Sequence, residues 1–446
     1  MLFYPPSIFI KNLLNTQTKK RIFENFLSLS FLQAANYILP LITLPYLVRV
    51  LGPEKYGLTV FAQTFTTYFQ ILTDYGFNLS ATREISINRE NKKKISEIFS
   101  TVLVIKFFLF LISLLIMTAI VFSFKKFRGE WVIYYLSFGT VLGQTLFPQW
   151  LFLGTEKMKY ITILNIIARL IFTVAIFVFV RNVSDYLYVP LLTSIGFIVA
   201  GILSIVIVFF KFKTGFILPT LKMVKHHIKE GRNLFLSQIT ATLSDNTNTF
   251  VLGLFMNNTT VAYYNAAEKL IRALSQLQTP FVTTMYPIMA KLVKKNINKA
   301  IIFSKKVLLV VSFCYTALIV ISFIISKQIV TIIFGHGFES SAIVLRIMLV
   351  IPLIIFINNI YGTQFLINLK KNKEFLKVVV IGTILNILLS PFLTYLFGYV
   401  GAAISWLSAE ISIMVGMYLS ATKYVKQLKF KYIFNLKAEN GNKNLP

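Results

Sequence analysis

Apolar runs of about 20 residues or more, each long enough to cross the hydrocarbon of a bilayer as a helix, recur along the chain between short polar segments. Twelve can be read, at 26–48, 57–79, 98–122, 131–153, 160–180, 187–210, 233–256, 261–288, 304–326, 341–367, 375–397 and 400–422. The pattern predicts an all-α, polytopic membrane protein. Its longest basic connection, KFKTGFILPTLKMVKHHIKEGR at 211–232, divides the spans six and six. The expected organisation is an N-terminal six-helix lobe over 1–210, a cytoplasmic inter-lobe loop over 211–232, a C-terminal six-helix lobe over 233–422 and a basic cytoplasmic tail over 423–446. The two halves echo each other: QWLFL from Gln149 matches QFLIN from Gln364, and ILNII from Ile163 matches ILNIL from Ile384. Six is even, so both halves start from the same side and the repeats are parallel.

Several spans carry polar stripes at helical spacing. At about 100° per residue, Gln238, Thr242, Asp245 and Thr249 share one face of span seven, while Ile239, Leu243 and Phe250 share another. Span two repeats this with Gln63, Thr67, Gln70 and Asp74, and span one offers Gln33, Asn36 and Thr43 beside Pro40 and Pro45, which bend it. Span eight carries Asn265, Glu268, Lys269, Arg272, Gln276 and Thr279, with Glu268 and Arg272 four apart on one face as the expected ion pair. A charge at the centre of a lipid-facing helix costs about 2.5–3.5 kcal/mol. The stripes are therefore expected to face a shared central cavity between the lobes. The alternative is that they glue helices together by hydrogen bonds of about 0.6 kcal/mol each.

Composition narrows the class further. With 56% hydrophobic residues, 14% charged and a mean hydropathy of +0.72, a soluble globular protein is excluded. The net charge of +29 invites a nucleic-acid reading, but the basic residues alternate along the chain. Of 45 lysines and arginines, the expected outer loops hold only Arg49, Lys55, Lys125, Lys126, Arg128, Arg181 and Lys327. Lys106, Arg169, Lys269, Arg272 and Arg346 lie within spans, and the others fall in or at the edge of the cytoplasmic segments. That asymmetry fixes the orientation, with both termini cytoplasmic, and leaves runs such as NKKK at 91–94 to topology and anionic lipid contact.

Within the spans, five cations meet four acids: Asp74, Asp245, Glu268 and Glu410. A cavity lined by Arg and Lys draws an anion, and guanidinium forks suit phosphate. Arg169 lies too deep in span five to reach the interface, whereas Lys106 and Arg346 sit nearer span ends and are expected to snorkel. The single cysteine, Cys314, is expected to pack inside span nine, and the first span, long and without a small-residue cleavage site, is expected to remain. Catalytic signals are missing: no Gly-rich phosphate loop or metal-ligand spacing occurs, and His226, His227 and His336 are expected in loops without acidic companions. No catalytic residue, metal or cofactor is expected. Asn257-Asn258-Thr259-Thr260 reads as a turn, despite its sequons.

The run FLQAANYILPLITLPYLVRVLGPEKYGLTVFAQTFTTYFQILTDYGFNLSATREIS (31–86) resembles the start of the O-antigen-type polysaccharide repeat-unit flippases of the multidrug/oligosaccharidyl-lipid/polysaccharide exporter superfamily. VAYYNAAEKLIRALSQLQTPFVTTMYPIMAKL (261–292), IFGHGFESSAIVLRIM (333–348) and QWLFLGTEKMKY (149–160) resemble other parts of that family, although family members often carry an acid in place of His336. The resemblance implies a two-lobed transporter in a bacterial inner membrane that moves an undecaprenyl-pyrophosphate-linked oligosaccharide from the cytoplasmic to the periplasmic leaflet. Alternating access driven by an ion gradient is the expected mechanism. Membrane lipids and other polysaccharide-assembly proteins are the remaining expected partners, and nucleic acid is not one. On this reading Arg272, Lys269 and Arg169 are candidates for the pyrophosphate, while Asp74, Gln70, Gln63, Asn36, Gln238, Asp245, Glu268 and Asn265 line the cavity for sugar or ion. The competing readings are a drug/cation antiporter of the same superfamily, a polymerase or ligase, for which no large outer loop is present, and a scaffold for glycosyltransferases.

Overall fold

A computed structural model describes the backbone of residues 16–441, and side chains from 42 to 427 with scattered positions before that. Among the described residues the regular structure is helical, and each of the twelve expected spans coincides with one or more helices. The first two spans form α1 (Thr16–Asp74), which is two helical arms meeting at Gly52, whose φ of 66° and ψ of 175° break the helix. Pro53 follows, and its fixed φ suits the first turn of the second arm. The last two spans likewise share α16 (Asn372–Gly441), broken at Gly398 with φ 58°. The break at Gly398 lies in the shortest gap between the expected spans, 398–399, and that at Gly52 in the gap 49–56.

Between these, α2 spans Phe77–Ile87 and α3 spans Lys92–Ser123, followed by the single turn α4 (Lys125–Arg128). Span four is split into α5 (Trp131–Leu146) and α6 (Gln149–Gly154), because Pro148 forces Phe147 into extended backbone. Spans five and six are α7 (Lys159–Phe179) and α8 (Tyr188–Phe210). Helix α9 runs from Leu221 to Phe255, so that residues 221–232, expected as loop, are helical. Pro219 is the last breaker, and Thr220 Oγ1 accepts a hydrogen bond from Met223 N, so the helix starts there and no breaker follows. Span eight divides at Pro280 into α10 (Asn258–Gln276) and α11 (Thr279–Lys295). The stretch Asn257–Thr260 caps α10: Asn257 Oδ1 accepts from Thr260 N at 2.9 Å. After α12 (Ile297–Ile324) and α13 (Ser326–Phe334), span ten is assembled from α14 (Ser341–Met348), α15 (Ile351–Asn359) and a π-helical segment, Ile360–Ile367.

The chain divides into two compact units, Met1–Ile239 and Thr240–Pro446. In the first, helix directions can be read from hydrogen bonds of constant offset. Ser194 Oγ donates to Leu136 O and Ser204 Oγ to Leu146 O, both 58 residues apart, so α5 and α8 run parallel. Thr162 Oγ1 donates to Ser28 O and Tyr46 OH to Val180 O, both 134 apart, so the first arm of α1 and α7 also run parallel. Even-numbered spans four and six, and odd-numbered spans one and five, therefore cross in common directions, as successive membrane crossings require.

Helices α5 and α8 approach closely because α5 has no side chain at Gly143: a Cβ there would sit 2.5 Å from the backbone carbon of Phe197. Membrane helices pack through such small residues. Gly143→Ala is expected to destabilise the protein by about 1–3 kcal/mol through overpacking against rigid backbone, measured as a shift in the unfolding midpoint in detergent. A midpoint unchanged by the substitution would rule this contact out as a tight one.

Six described helical stretches are long and apolar enough to cross a membrane by length and composition, and many of their large side chains, among them Leu115, Leu309 and Phe313, face outward. For a membrane protein that surface meets lipid. Cys314, expected to be packed inside, is instead exposed. The reason is the position of α12: none of its most apolar window is buried, so its faces look away from the unit.

Candidate functional site

Two polar networks lie inside the apolar helices, one in each unit. In the first, Asp74 ends α1 and Lys106 comes from α3, with Nζ 3.7 Å from Asp74 Oδ1. Lys106 is 3% exposed; it donates to Gln144 O at 3.0 Å, and its ammonium lies 4.8 Å from the Trp150 ring centroid. It does not snorkel, because its charge is matched inside the helices rather than at the interface. The side chains of Gln238 and Asn78 hydrogen-bond Asp74 from α9 and α2. Helix α9 is held there by Phe235, whose ring stacks on Tyr75 at 4.6 Å.

The rest of the span-two stripe points to other partners. Gln70 Nε2 donates to Thr140 Oγ1 at 3.0 Å, and Gln63 is exposed. The Asn36 side chain lies outside the described residues. Arg169, on α7, is half-buried and makes no ion pair among the described residues; its Nε is buried without a hydrogen-bond partner. Lying seven residues beyond Thr162, it shares the face of α7 turned to the first arm of α1, level with about residue 35 by the common offset of 134.

In the second unit, the pair expected within span eight is present: Arg272 Nε donates to Glu268 Oε1 at 2.9 Å. Arg272 also reaches across to α9, donating through Nη1 to Asp245 Oδ1 at 3.2 Å and through Nη2 to Asp245 O at 2.7 Å. Glu268, with a side chain only 7% exposed, takes further bonds from Thr249 Oγ1 at 3.2 Å and Asn265 Nδ2 at 3.3 Å. The guanidinium lies 5.0 Å from the Trp406 ring centroid, a cation–π contact. Glu410 accepts from Asn358 Nδ2 at 2.9 Å and from the Trp406 side chain. Lys269 is exposed and has its own partner within the protein.

Beside this network opens a cavity of about 260 Å³ walled by Arg272, Trp406 and the hydroxyls and amides of Ser275, Gln276, Gln278, Thr279, Thr283 and Asn359. Its polar wall comes from the junction of α10 and α11, where Pro280 restarts the helix. Periodicity in span eight anticipated Gln276 and Thr279, whereas Trp406 and Asn359 reach the cavity from distant helices.

The structure thus unites Asp74 with Gln238, and Asp245, Glu268 and Asn265 with Arg272. It leaves Gln63, Lys269 and Arg169 outside both networks. Lys106 and Glu410, counted among the interior charges but not as site residues, join them, as do Trp406 and Asn358, which were not singled out. A charged or amide group inside an apolar run was the available signal for three of these.

A further cavity, of about 610 Å³, lies in the first unit between α2, α3 and the start of α9. Here the histidines have acidic partners after all: His226 Nε2 is 2.6 Å from Glu84 Oε1, and His227 Nδ1 is 3.7 Å from Glu84 Oε2. His336, in turn, lies 3.5 Å from Glu339. Helix α9 begins early enough to carry His226 and His227 to α2, contacts that lie 142 residues or so apart in sequence and that no local pattern announces. Burial pushes the His227 pKa below its ordinary value, outweighing the attraction of Glu84; His226, Lys94 and Glu230 also face it. The unfolded chain therefore binds a proton on this residue, near pH 6.5, before the folded one does, and stability falls as pH drops. Midpoints measured between about pH 7.5 and 5.5 are expected to fall, and His227→Gln to flatten the fall; an unchanged slope in that variant would assign the dependence elsewhere.

Comparison with known proteins agrees with this architecture. Residues 22–293 match the family described as polysaccharide biosynthesis protein. A protein of Escherichia coli (strain K12) named "Putative O-antigen transporter" is 33% identical over 387 residues, covering 87% of this chain and 93% of that protein. The inward-facing structure of a multidrug resistance MATE transporter of the MOP superfamily superposes with a TM-score of 0.67 at 13% identity, covering 88% of this chain and 95% of that one. The inward closed lipid II flippase MurJ gives the same TM-score at 15% identity, with 88% and 87% covered.

Proposed function

Because the chain belongs to the polysaccharide biosynthesis protein family, as a multi-pass membrane transporter rather than an enzyme, we propose that it is a flippase for a lipid-linked oligosaccharide. The substrate in this reading is a repeat unit on undecaprenyl pyrophosphate, moved from the cytoplasmic to the periplasmic leaflet of the inner membrane for O-antigen or a related surface polysaccharide. Transport proceeds by alternating access coupled to an ion gradient, with both termini cytoplasmic. The observation that carries the reading is the hydroxyl- and amide-lined cavity within otherwise apolar helices, a lining that suits the many hydroxyls of a sugar. The named O-antigen relative supports the same substrate class.

The roles of single residues follow the geometry. Arg169, half-buried with no acid beside it among the described residues, is the foremost candidate for the pyrophosphate, ahead of exposed Lys269 and of Arg272, whose donors are committed to Glu268 and Asp245. Asp74, Gln238, Gln70, Gln63 and Asn36 in the first unit, and Asp245, Glu268 and Asn265 in the second, are proposed as sugar or coupling-ion contacts, directly or by holding neighbours in place.

The test is a leaflet assay in inverted vesicles, following an undecaprenyl-pyrophosphate-linked disaccharide. The unaltered protein should move it, Arg169→Ala should abolish movement, and Arg169→Lys should keep part of it. Failure of the unaltered protein to move the lipid would overturn the reading, while full activity in Arg169→Ala would remove only that residue from the phosphate contact. The two acids bonded to Arg272 also suit a cationic cargo, which favours the drug/cation antiporter as a second reading. Gradient-driven efflux of an organic cation from the same vesicles separates the two.

A further inference from the structure

Three of the four carboxylates inside the spans have a cation at hand: Asp74 has Lys106, while Asp245 and Glu268 share Arg272. Glu410, half-buried, has no such ion pair among the described residues. It stands midway along span twelve (400–422), which carries no lysine or arginine. Its bonds come from neutral donors, Asn358 Nδ2 at 2.9 Å from Oε2 and the Trp406 indole. The charged groups that face it from other helices are Arg272 of α10 and Asp245 of α9, one of each sign and bonded to each other, and α15 (Ile351–Asn359) supplies none. A carboxylate in apolar surroundings requires a counter-charge, and a proton is one that can come and go.

The amide of Asn358 can meet this carboxyl group in either state. An ionised carboxylate only accepts, so it takes Nδ2–H and leaves the amide oxygen, Oδ1, buried without a donor. An acceptor left in that state costs about 1–3 kcal/mol. Oδ1 is closed to solvent and to cargo, and the neighbour that can serve it is the carboxyl group that the same amide already touches. Once protonated, Glu410 can accept from Nδ2 on one oxygen and donate its O–H from the other to Oδ1, closing a two-bond ring. The pair stands directly behind the cavity wall: Trp406, which donates to Glu410, and Asn359, next to Asn358, both line the cavity. Asn359 is also the last residue before the π-helical segment Ile360–Ile367, a rare geometry found often at functional sites.

We propose that Glu410 is the coupling-proton site of the transporter, with Asn358 as its positioning residue. The inference rests on the flippase reading and names the coupling ion and the residue that carries it. A proton from water on the periplasmic side forms the Glu410 O–H bond, and that bond breaks again to return the proton to water on the cytoplasmic side, so nothing else is consumed.

The experiment uses inverted vesicles, whose lumen is the periplasmic side, with the membrane voltage clamped and an undecaprenyl-pyrophosphate-linked disaccharide in the outer leaflet. With one proton exchanged per cargo, a lumen more acidic by about one pH unit shifts the leaflet ratio about tenfold towards the lumen. Glu410→Gln, whose amide can donate to Oδ1 but carries no titratable proton, should hold the ratio at its value without a gradient, and Glu410→Asp should keep part of the shift. Asn358→Leu, similar in size, should weaken the shift, because neither state of the carboxyl group keeps its partner. A second readout needs no transport: infrared difference spectra of the unaltered protein between acidic and alkaline pH should show a carboxyl C=O band that Glu410→Gln lacks. A full shift in Glu410→Gln, a shift driven by a sodium gradient in place of the proton gradient, or a carboxyl band unchanged in Glu410→Gln would each overturn the assignment. Cargo that moves in the unaltered protein to the same ratio with and without the pH gradient would also overturn it while leaving the flippase reading intact. Cargo that moves under no condition would remove both.

Discussion

Arg272→Ala is expected to lose about 3–5 kcal/mol of stability, the cost of stranding a buried charge, because it leaves Glu268, 7% exposed, with only Thr249 and Asn265 for company. Arg272→Lys should recover part of that, since an ammonium restores the charge but not the fork that spans Glu268 and Asp245. Removing Asp245 should cost much less, about 0–1 kcal/mol, the range for pairs open to solvent: its side chain is 64% exposed. The double substitution Arg272→Ala with Glu268→Ala should be less damaging than the two single effects added together, because no buried charge is then left alone. Unfolding in mixed micelles, followed by fluorescence, provides the comparison. If Arg272→Ala lay within about 0.5 kcal/mol of the unaltered protein, as surface substitutions do, the network would not be the structural centre described above. The order of effects matters for function too, because a transport defect at Arg272 has meaning only after the loss of fold has been measured.

The second large effect belongs to the first unit. Asp74→Ala should cost about 3–5 kcal/mol by the same reasoning: Lys106, 3% exposed, would keep only Gln144 O and the Trp150 ring. The reverse deletion should be milder. In Lys106→Met, Asp74 retains the amides of Gln238 and Asn78 and partial access to solvent, and the methionine fills the vacated apolar space. A loss of about 1–3 kcal/mol is expected there. Combining Lys106→Met with Asp74→Asn should return most of the stability, since a neutral, packed replacement of a buried pair is often tolerated. The asymmetry between the two single variants is the test, and a Lys106→Met protein less stable than Asp74→Ala would contradict the burial argument.

Much of this molecule can be read along the chain because the relevant physics is local. Hydrophobic length marked the twelve apolar runs, whereas the breaks at Gly52, Pro148 and Gly398 were seen only in the structure, although each falls at a residue whose conformational limits suit it. Glu268 and Arg272 could be paired in advance because four residues bring side chains together on any α-helix. Local reading failed where a side chain's fate depends on which other helix stands opposite. Lys106 looked like a snorkelling residue near a span end, yet meets Asp74, 32 residues away in sequence. Cys314 looked buried by its apolar surroundings, yet faces out because α12 contributes little of its surface to the unit. His226 and His227 looked isolated until helix α9 carried them to Glu84.

Sequence alone therefore determined the membrane setting, the number and order of the apolar spans, and the positions of the polar stripes, since all three follow from transfer energies and the 3.6-residue period. Tertiary structure decided the electrostatics. The interior cations counted along the chain as an invitation to an anion are, at Lys106 and Arg272, already answered by carboxylates from other helices. Helical periodicity fixes which side chains share a face, but the rotation and neighbours of that face are set only when the helices pack.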